Sequence, residues 1–279
     1  MKIFIIGASG FLGKNLKIKF SEIGEVETAP SFSISLTEGF DNWLEKIKLR
    51  LLNFSPNIII LSGASQTTHD DINACKELIQ SNCILPCYIA DILISKMPNA
   101  LFVTFGTSWQ YSDSNQYRPF NLYAASKQAG QDLLEHYALR GLRIIQFILF
   151  DTYGENDTRR KLLNLLIDSA KNHIPIDTTP GDQEIDLVHI DDVCEGVLNG
   201  IDELREWNPV NGVLIRGLGS GKPIIVKELI EKIKIKYGLE VEANIGVRPY
   251  RPREVMKTYK NFTPPKGWSP KHNEFRNLK

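Results

Sequence analysis

Apolar runs alternate with amphipathic stretches through the first half of this 279-residue chain. Short runs of branched apolar and aromatic residues predict buried strands at residues 2–6, 25–29, 57–61, 101–105 and 143–149. Apolar groups at helical spacing predict helices between them, at residues 11–22, 39–53, 71–95 and 123–140. Strands that alternate with helices form a parallel sheet covered on both faces, so the pattern predicts an α/β fold with a doubly wound, Rossmann-like sheet.

The alternation weakens after Gly154. Residues 161–171 and 222–237 predict two further helices, and a Pro-Gly-Asp turn at 180–182 lies between them. This region is expected to form a smaller C-terminal lobe that binds substrate. The expected bounds are 1–154 for the sheet domain, with 186–200 returning to it, and 155–185 and 201–279 for the smaller lobe.

A glycine-rich turn follows the first predicted strand, with Gly7, Gly10 and Gly13 at a spacing of three. Gly7 allows the tight turn, Gly10 lets a phosphate approach the backbone, and Gly13 lets the next helix pack close to the strand. A flexible turn would also use glycines, but the position directly after an apolar strand favours a dinucleotide diphosphate on the helix N-terminus. The expected cofactor contacts here are Gly7, Ser9, Gly10, Phe11, Leu12 and Gly13.

Tyr123 and Lys127 are four residues apart on a predicted helix, so their side chains share one face. A free tyrosine has a pKa near ~10 and is a poor acid–base catalyst at neutral pH. We expect the Lys127 ammonium to lower the pKa of Tyr123 toward the working range. A surface helix can carry such a pair by chance, but a predicted strand ends nearby at Thr107 and places a hydroxyl at the same sheet edge.

Together these motifs resemble the extended short-chain dehydrogenase/reductase family that acts on nucleotide sugars, over nearly the whole chain. The resemblance implies that Thr107, Tyr123 and Lys127 are catalytic. Residues 107–110, 121–127 and 150–154 are similar to the abequose- and paratose-synthase-like branch of this family. That branch implies reduction of the 4-keto group of a CDP- or dTDP-linked 6-deoxy or 3,6-dideoxy hexose, for bacterial surface polysaccharides.

The end of the second predicted strand bears on the choice of cofactor. An NAD-preferring enzyme places a carboxylate there for the ribose 2′-hydroxyl, whereas this chain has Ala29, Pro30 and Ser31. The missing carboxylate removes repulsion against a 2′-phosphate, so we expect NADP(H) in preference to NAD(H), with NAD(H) still open. Ser31 could donate a hydrogen bond to that phosphate. The resemblance and the strand ends add further cofactor contacts: Leu36, Gly63, Ala64, Ser65, Asn82, Tyr123 and Lys127. A tight turn at 63–65 and an exposed helical Asn82 are the simpler alternatives.

The substrate half of the predicted site departs from the family pattern. Dehydratases of the family follow the catalytic Thr with Asp-Glu, but Ser108 and Trp109 stand there, which argues against 4,6-dehydration. Ile185 replaces an arginine that typically contacts the substrate diphosphate. Arg159 and its neighbours are candidates for that role, although each could simply be solvated. The expected substrate contacts are Thr107, Ser108, Trp109, Asp151, Arg160, Lys161 and Arg251.

Charge and cysteine content limit the other function classes. Lys and Arg together number 33, as do Asp and Glu, so no general attraction to nucleic acid is expected. The four cysteines lack zinc-site spacing, and we expect no metal. No apolar run suggests a membrane span and the first residues form strand and helix, so a cytoplasmic enzyme is expected. The resemblance implies a homodimer through helices 71–95 and 123–140.

Two other functions stay open at this point. A nucleotide-sugar 4-epimerase with bound NAD would use the same residues but return the hydride to its own product. A non-catalytic NAD(P)-sensing protein could share the fold, although it would have no need of a proton donor such as Tyr123.

Overall fold

The structure, a computed structural model, describes residues 1–31, 39–113, 116–237 and 241–272. Within these residues the strands are β1 Lys2–Ile6, β2 Glu25–Thr28, β3 Ile58–Leu61, β4 Leu101–Thr107, β5 Arg143–Leu149, β6 Asp151–Tyr153, β7 Ile176–Asp177, β8 Glu184–Ile185, β9 Leu187–His189, β10 Leu214–Leu218, β11 Ile224–Ile225 and β12 Ala243–Asn244. The α-helices are α1 Phe11–Ser21, α2 Phe40–Phe54, α3 Ile72–Ile79, α4 Leu85–Lys96, α5 Leu122–Leu139, α6 Leu162–Asn172, α7 Ile190–Glu206 and α8 Val226–Tyr237.

The main sheet has six strands in the order β10-β5-β4-β3-β1-β2, and all of its pairs are parallel. The chain builds outward from β1 to β2 on one side and from β3 to β10 on the other. The connection that follows β1 and the connection that follows β3 therefore run in opposite directions across the sheet. In sheets of this kind a ligand-binding crevice forms between two such strands, at their carboxyl ends. The predicted doubly wound α/β fold is confirmed.

Alternate side chains of β1 pack into two separate hydrophobic cores. Ile3 and Ile5 pack with α1 and α7, whereas Phe4 and Ile6 pack with α2, α4 and α5. All four side chains are buried. Because helices cover both faces of the sheet, its strands are apolar throughout, which is why they are visible as continuous runs in the sequence.

Strand β10 corrects one predicted boundary. Residues 214–218 pair with β5 in the main sheet, although the sequence assigned all of 201–279 to the smaller lobe. Arg216 and Gly217 interrupt the apolar run and hide the strand. In the fold, Arg216 Nε donates to Glu203 of α7 at 3.0 Å, and Gly217 packs against the ring of Phe262. The other domain bounds stay a prediction.

A third, smaller core lies between α6 and α8. Leu163 and Leu166 of α6 and Ile230 and Ile233 of α8 are buried in it. Helix α8 begins at Val226, not at the predicted residue 222, because β11 first pairs antiparallel with β8. This core stabilises the smaller region of the chain that contains α6 and α8.

The predicted helix 71–95 is divided by a π-helical turn, Gln80–Ile84, between α3 and α4. Pro86 has no N–H to donate to residue 82, and the wider turn accommodates it. By length and composition the stretch Ile72–Lys96 could cross a membrane, a feature that the sequence analysis did not anticipate. The 18-residue apolar window within it is 56% buried inside the protein.

Candidate active site

A cleft of about 1230 Å³ runs along the carboxyl ends of the sheet strands. Its wall contains the glycine turn after β1, the segments that follow β3 and β4, and the first turns of α5. Residues of the loop between β6 and α6 also line the cleft. The cleft thus lies where the topology predicts a ligand site.

The glycine turn is closely packed at Gly7 and Gly13 and has free space at Gly10. A Cβ at Gly13 would lie 2.2 Å from the Gly7 carbonyl oxygen, and one at Gly7 would lie 2.2 Å from the backbone nitrogen of Gly63. At Gly10 the nearest atom to an added Cβ is 3.6 Å away. Helix α1 begins after Gly10 without a side-chain cap. These features fit a diphosphate that binds the first N–H groups of α1.

Most of the other predicted cofactor contacts line the cleft. Ser9, Phe11, Leu12, Ser31, Gly63, Ala64 and Ser65 line the cleft with the glycines. Leu36 lies outside the described residues, and its role stays a prediction. Lys14 and Glu77, which the sequence analysis missed, also line the cleft, and Glu77 accepts a hydrogen bond from Ser65 Oγ.

Thr107 is the last residue of β4 and is held by the short 3₁₀ turn Ser108–Gln110. Its N–H donates to Gln110 Oε1 at 2.9 Å, and its Oγ1 accepts a hydrogen bond from the Trp109 N–H at 3.3 Å. Because Oγ1 accepts from the backbone, its own proton is free to be donated to a ligand oxygen. Thr107 lines the cleft.

Helix α5 begins at a capped end that places Tyr123 and Lys127. The Asn121 side chain accepts a hydrogen bond from the Ala124 N–H at 2.9 Å, which sets the helix start. Tyr123 lies in the first turn and Lys127 one turn further along, and both line the cleft. The Lys127 Nζ is 5.9 Å from the centroid of the Tyr123 ring.

The protonation of this pair differs from the expectation. Burial raises the pKa of Tyr123 well above its usual value, and burial lowers the pKa of Lys127 to about 8. The expected lowering of the Tyr123 pKa by Lys127 is therefore wrong in this structure, because desolvation acts on the phenol and dominates. Tyr123 stays a protonated phenol at neutral pH, which is the form of a proton donor.

Asn82 corrects another prediction, since it does not line the cleft. Its buried amide donates to Ser126 Oγ at 2.9 Å, and that hydroxyl donates to the Tyr123 carbonyl oxygen at 2.8 Å. A Cβ at Gly130 would lie 2.0 Å from the Asn82 carbonyl oxygen, so α5 and the π-helical turn are in backbone contact. In this structure Asn82 positions the turn of α5 that carries Tyr123.

Gln110 is a buried residue that the sequence analysis missed. Its Oε1 holds the Thr107 N–H, and its Nε2 donates to Gln128 Oε1 of α5 at 2.8 Å. This side chain therefore links the end of β4 to the helix of Tyr123. No local pattern in the sequence indicates the link, because it depends on two elements that meet only in the fold.

Several of the predicted substrate contacts line the cleft, and the part that they form is here called its substrate half: Ser108, Trp109, Asp151 and Lys161. The Trp109 ring packs edge-on against Phe120 at 5.2 Å between centroids. Lys161 Nζ is 3.3 Å from Asp151 Oδ1 and 6.0 Å from the centroid of the Trp109 ring.

Arg160 and Arg251 depart from the prediction, because neither contributes to this wall. Arg160 is exposed and does not line the cleft, whereas its neighbour Arg159 does. Arg251 pairs with Glu254 at 3.9 Å, and its guanidinium carbon lies 5.8 Å from the centroid of the Phe120 ring.

His189 is a packed residue at the start of α7. Its Nδ1 accepts a hydrogen bond from the Asp191 N–H at 3.2 Å, and its ring stacks on His272 at 4.5 Å between centroids. Burial lowers the pKa of His189, which favours the neutral imidazole. His189, Asp191 and His272 hold metal-ligating atoms within 4.8 Å of one another, but Asp191 and His272 are exposed and all three lie outside the cleft wall.

Comparison with known proteins finds relatives of similar sequence along much of the chain. A CDP-abequose synthase of Yersinia pseudotuberculosis is 27% identical over 209 residues, which are 71% of this chain and 72% of that protein. Another, from Salmonella muenchen, is 26% identical over 282 residues, which are 96% of this chain and 92% of that protein.

Solved structures show the same fold at low sequence identity. A UDP-glucose 4-epimerase from Thermotoga maritima with UDP-glucose has a TM-score of 0.82 and 18% identity, and covers 97% of this chain and 94% of its own. MoeE5 in complex with UDP-glucose and NAD has a TM-score of 0.79 and 16% identity, with the same coverage of 97% and 94%.

The family assignment rests on a match over most of the chain. Residues 3–211 match the family described as the NAD dependent epimerase/dehydratase family. That range includes the glycine turn, Thr107, Tyr123 and Lys127. The chain therefore belongs to the NAD-dependent epimerase/dehydratase family of enzymes.

Proposed function

We propose that the protein reduces the C4 keto group of a CDP- or dTDP-linked 6-deoxy or 3,6-dideoxy hexose, with NADP(H) as the preferred cofactor. One observation carries the proposal: the protonated phenol of Tyr123 and the hydroxyl of Thr107 line one cleft with the glycine turn. The similarity to CDP-abequose synthases supports a nucleotide sugar as substrate.

The nicotinamide, when bound, supplies the hydride for C4. Tyr123 Oη donates its proton to the ketone oxygen as negative charge develops there. Thr107 Oγ1 donates a hydrogen bond to the same oxygen, where the charge of the transition state needs stabilisation. The Lys127 ammonium stabilises the phenolate that Tyr123 becomes after the transfer.

The substrate half of the cleft supports reduction over dehydration. Trp109 stands where the resemblance places a carboxylate in dehydratases, and an indole cannot act as the acid or base that eliminates water. Its contact with Phe120 gives the wall an apolar surface, which suits a deoxygenated sugar carbon. Lys161 supplies positive charge for the substrate diphosphate in place of the arginine that Ile185 replaces.

A nucleotide-sugar 4-epimerase is the second candidate, because the fold matches UDP-glucose 4-epimerases closely. Epimerisation begins with oxidation of an alcohol, which requires a base to remove the hydroxyl proton. The raised pKa of Tyr123 keeps the phenol protonated and suits the reverse task. The similarity to CDP-abequose synthases keeps the reductase as the first candidate.

The test is incubation with NADPH or NADH and a panel of CDP- and dTDP-linked 4-keto-6-deoxy hexoses. We expect loss of the near-ultraviolet absorbance of the reduced nicotinamide, one cofactor oxidised per sugar reduced, and faster turnover with NADPH. Interconversion of 4-hydroxy sugars without net cofactor oxidation would identify an epimerase. Cofactor binding without turnover of any sugar would identify a sensing protein.

The pH dependence of kcat/KM follows from Lys127. Burial lowers its pKa from the usual 10.5 to about 8, so the charge is present below that pH and lost above it. We expect kcat/KM for reduction to fall as pH rises through about 8, because it reports groups of the free enzyme. In the Lys127→Arg variant the falling limb should move to higher pH, since a guanidinium keeps its charge. Identical limbs in both proteins would show that another group titrates.

We also propose that the protein is a homodimer through the helices at 71–95 and 123–140. Exposed apolar side chains on these helices support this assembly: Ile72, Ile79, Ile84, Leu133 and Leu139. Light scattering of the purified protein at micromolar concentration measures the oligomeric state directly, and a monomer alone would contradict the proposal.

A further inference from the structure

Arg159 of the loop between β6 and α6 contacts the start of α1, and both segments line the cleft. Its guanidinium carbon lies 4.2 Å from the centroid of the Phe11 ring. Phe11 is the first residue of α1, directly after Gly10. A guanidinium at this distance from an aromatic ring is held by a cation–π contact, so Arg159 is fixed beside the phosphate-binding turn.

Buried partners hold the guanidinium in one orientation. Asp157 accepts hydrogen bonds from Nε at 2.7 Å and from Nη2 at 2.8 Å, and Nη2 also donates to the Thr152 carbonyl oxygen at 2.7 Å. The Asp157 side chain is only 1% exposed. Burial alone would raise the pKa of Asp157, but the hydrogen bonds and charge of Arg159 outweigh it and lower that pKa. The Asp157 carboxylate therefore stays ionised and paired with the Arg159 guanidinium.

One nitrogen of Arg159 is left for a ligand. Among the described residues, Nη1 has no protein hydrogen-bond acceptor, while Nε and Nη2 are used as above. The side chain is 29% exposed and lines the cleft. A guanidinium oriented by a buried carboxylate and stacked on a ring is preorganised for a phosphate oxygen.

The basic side chains of the cleft wall are Lys14, Lys127, Arg159 and Lys161, and Lys127 is the partner of Tyr123 on α5. Lys161 lies beside Asp151 and Trp109 in the substrate half, whereas Arg159 lies on Phe11 in the cofactor half. We propose that Arg159 binds the diphosphate of the dinucleotide and holds it on the glycine turn, while Lys161 binds the substrate diphosphate. The assignment rests on dinucleotide binding in the proposed function.

The test compares R159Q with R160Q, which removes the same charge from the exposed neighbouring residue. Trp43 and Trp109 line the cleft, so quenching of tryptophan fluorescence reports binding of NADPH or NADH. We expect R159Q to raise the cofactor dissociation constant by about 10- to 100-fold, the range for loss of a hydrogen bond to a charged group. R160Q should bind the cofactor like the wild type.

R159Q leaves the Asp157 carboxylate buried without its cation, which could destabilise the fold. A second variant therefore separates loss of cofactor binding from loss of the fold. The double variant D157N/R159Q removes that charge as well, and thermal unfolding shows whether it folds. We expect the double variant to melt like the wild type and still to bind NADPH and NADH weakly. Wild-type affinity in the folded double variant would overturn the assignment of Arg159.

Binding of CDP and dTDP separates the two diphosphates. We expect R159Q to bind these nucleotides like the wild type and K161Q to bind them more weakly. Weakened binding of CDP or dTDP by R159Q, with NADPH affinity unchanged, would place Arg159 on the substrate and overturn the proposal. If the wild-type protein binds neither NADPH nor NADH, the proposed function itself fails.

Discussion

Replacing Tyr123 by phenylalanine should lower the rate of ketone reduction by a factor on the order of 10²–10⁴, the usual effect of losing a proton donor. The change removes one oxygen atom and keeps the ring, so the fold and the cofactor affinity should be preserved. Single-turnover reduction at saturating cofactor measures the rate, and fluorescence quenching measures cofactor binding in the same samples.

Tyr111→Phe is the matched control for this variant. Tyr111 stacks on Tyr259 at 4.4 Å between centroids and is not part of the cleft wall. We expect its phenylalanine variant to reduce the ketone at the wild-type rate. Full turnover by Tyr123→Phe, or an equal loss in both variants, would remove Tyr123 from the role of proton donor.

Alanine at two glycines of the same turn should have opposite consequences. In Gly13→Ala the new Cβ would meet the Gly7 carbonyl oxygen at 2.2 Å, a backbone atom that cannot move aside locally. We expect a loss of stability on the order of 1–3 kcal/mol, as for other overpacked sites. In Gly10→Ala the nearest atom is 3.6 Å away and φ is −75°, so the protein should fold normally.

Gly10→Ala should instead lose the cofactor, because its methyl group occupies the space in which a phosphate approaches the backbone. Thermal unfolding and NADPH binding, measured on both variants, separate the two effects. A Gly10→Ala protein that binds NADPH and NADH normally would show that the phosphate does not approach the turn at Gly10. A fully stable Gly13→Ala protein would contradict the close packing of α1 on β1.

The parts of the fold that were predictable have causes that act within a short segment. Both faces of the sheet are covered, so β1 is a continuous apolar run, and the glycine turn is visible because Gly13 has no space for a side chain. Strand β10 was missed because Arg216 and Gly217 are explained only by Glu203 and Phe262, which are remote in sequence.

The candidate site likewise has features that the sequence predicts and features that depend on the fold. The spacing of Tyr123 and Lys127 places both on one wall with Thr107, as the motifs predict. The direction of the Tyr123 pKa shift was not predictable, because desolvation depends on everything packed around the phenol. The contact of Arg159 with Phe11 was not predictable either, since it joins two segments that meet only in the fold.

Transfer of deuterium from the cofactor tests the reductive chemistry most directly. The protein is incubated with a CDP- or dTDP-linked 4-keto-6-deoxy hexose and with NADPH or NADH that carries deuterium at both C4 positions of the nicotinamide. The proposed reaction predicts one deuterium at C4 of each sugar formed and one oxidised cofactor per turnover. A product without deuterium, or exchange between 4-hydroxy sugars that retain their own C4 hydrogen while the cofactor stays unconsumed, would contradict it.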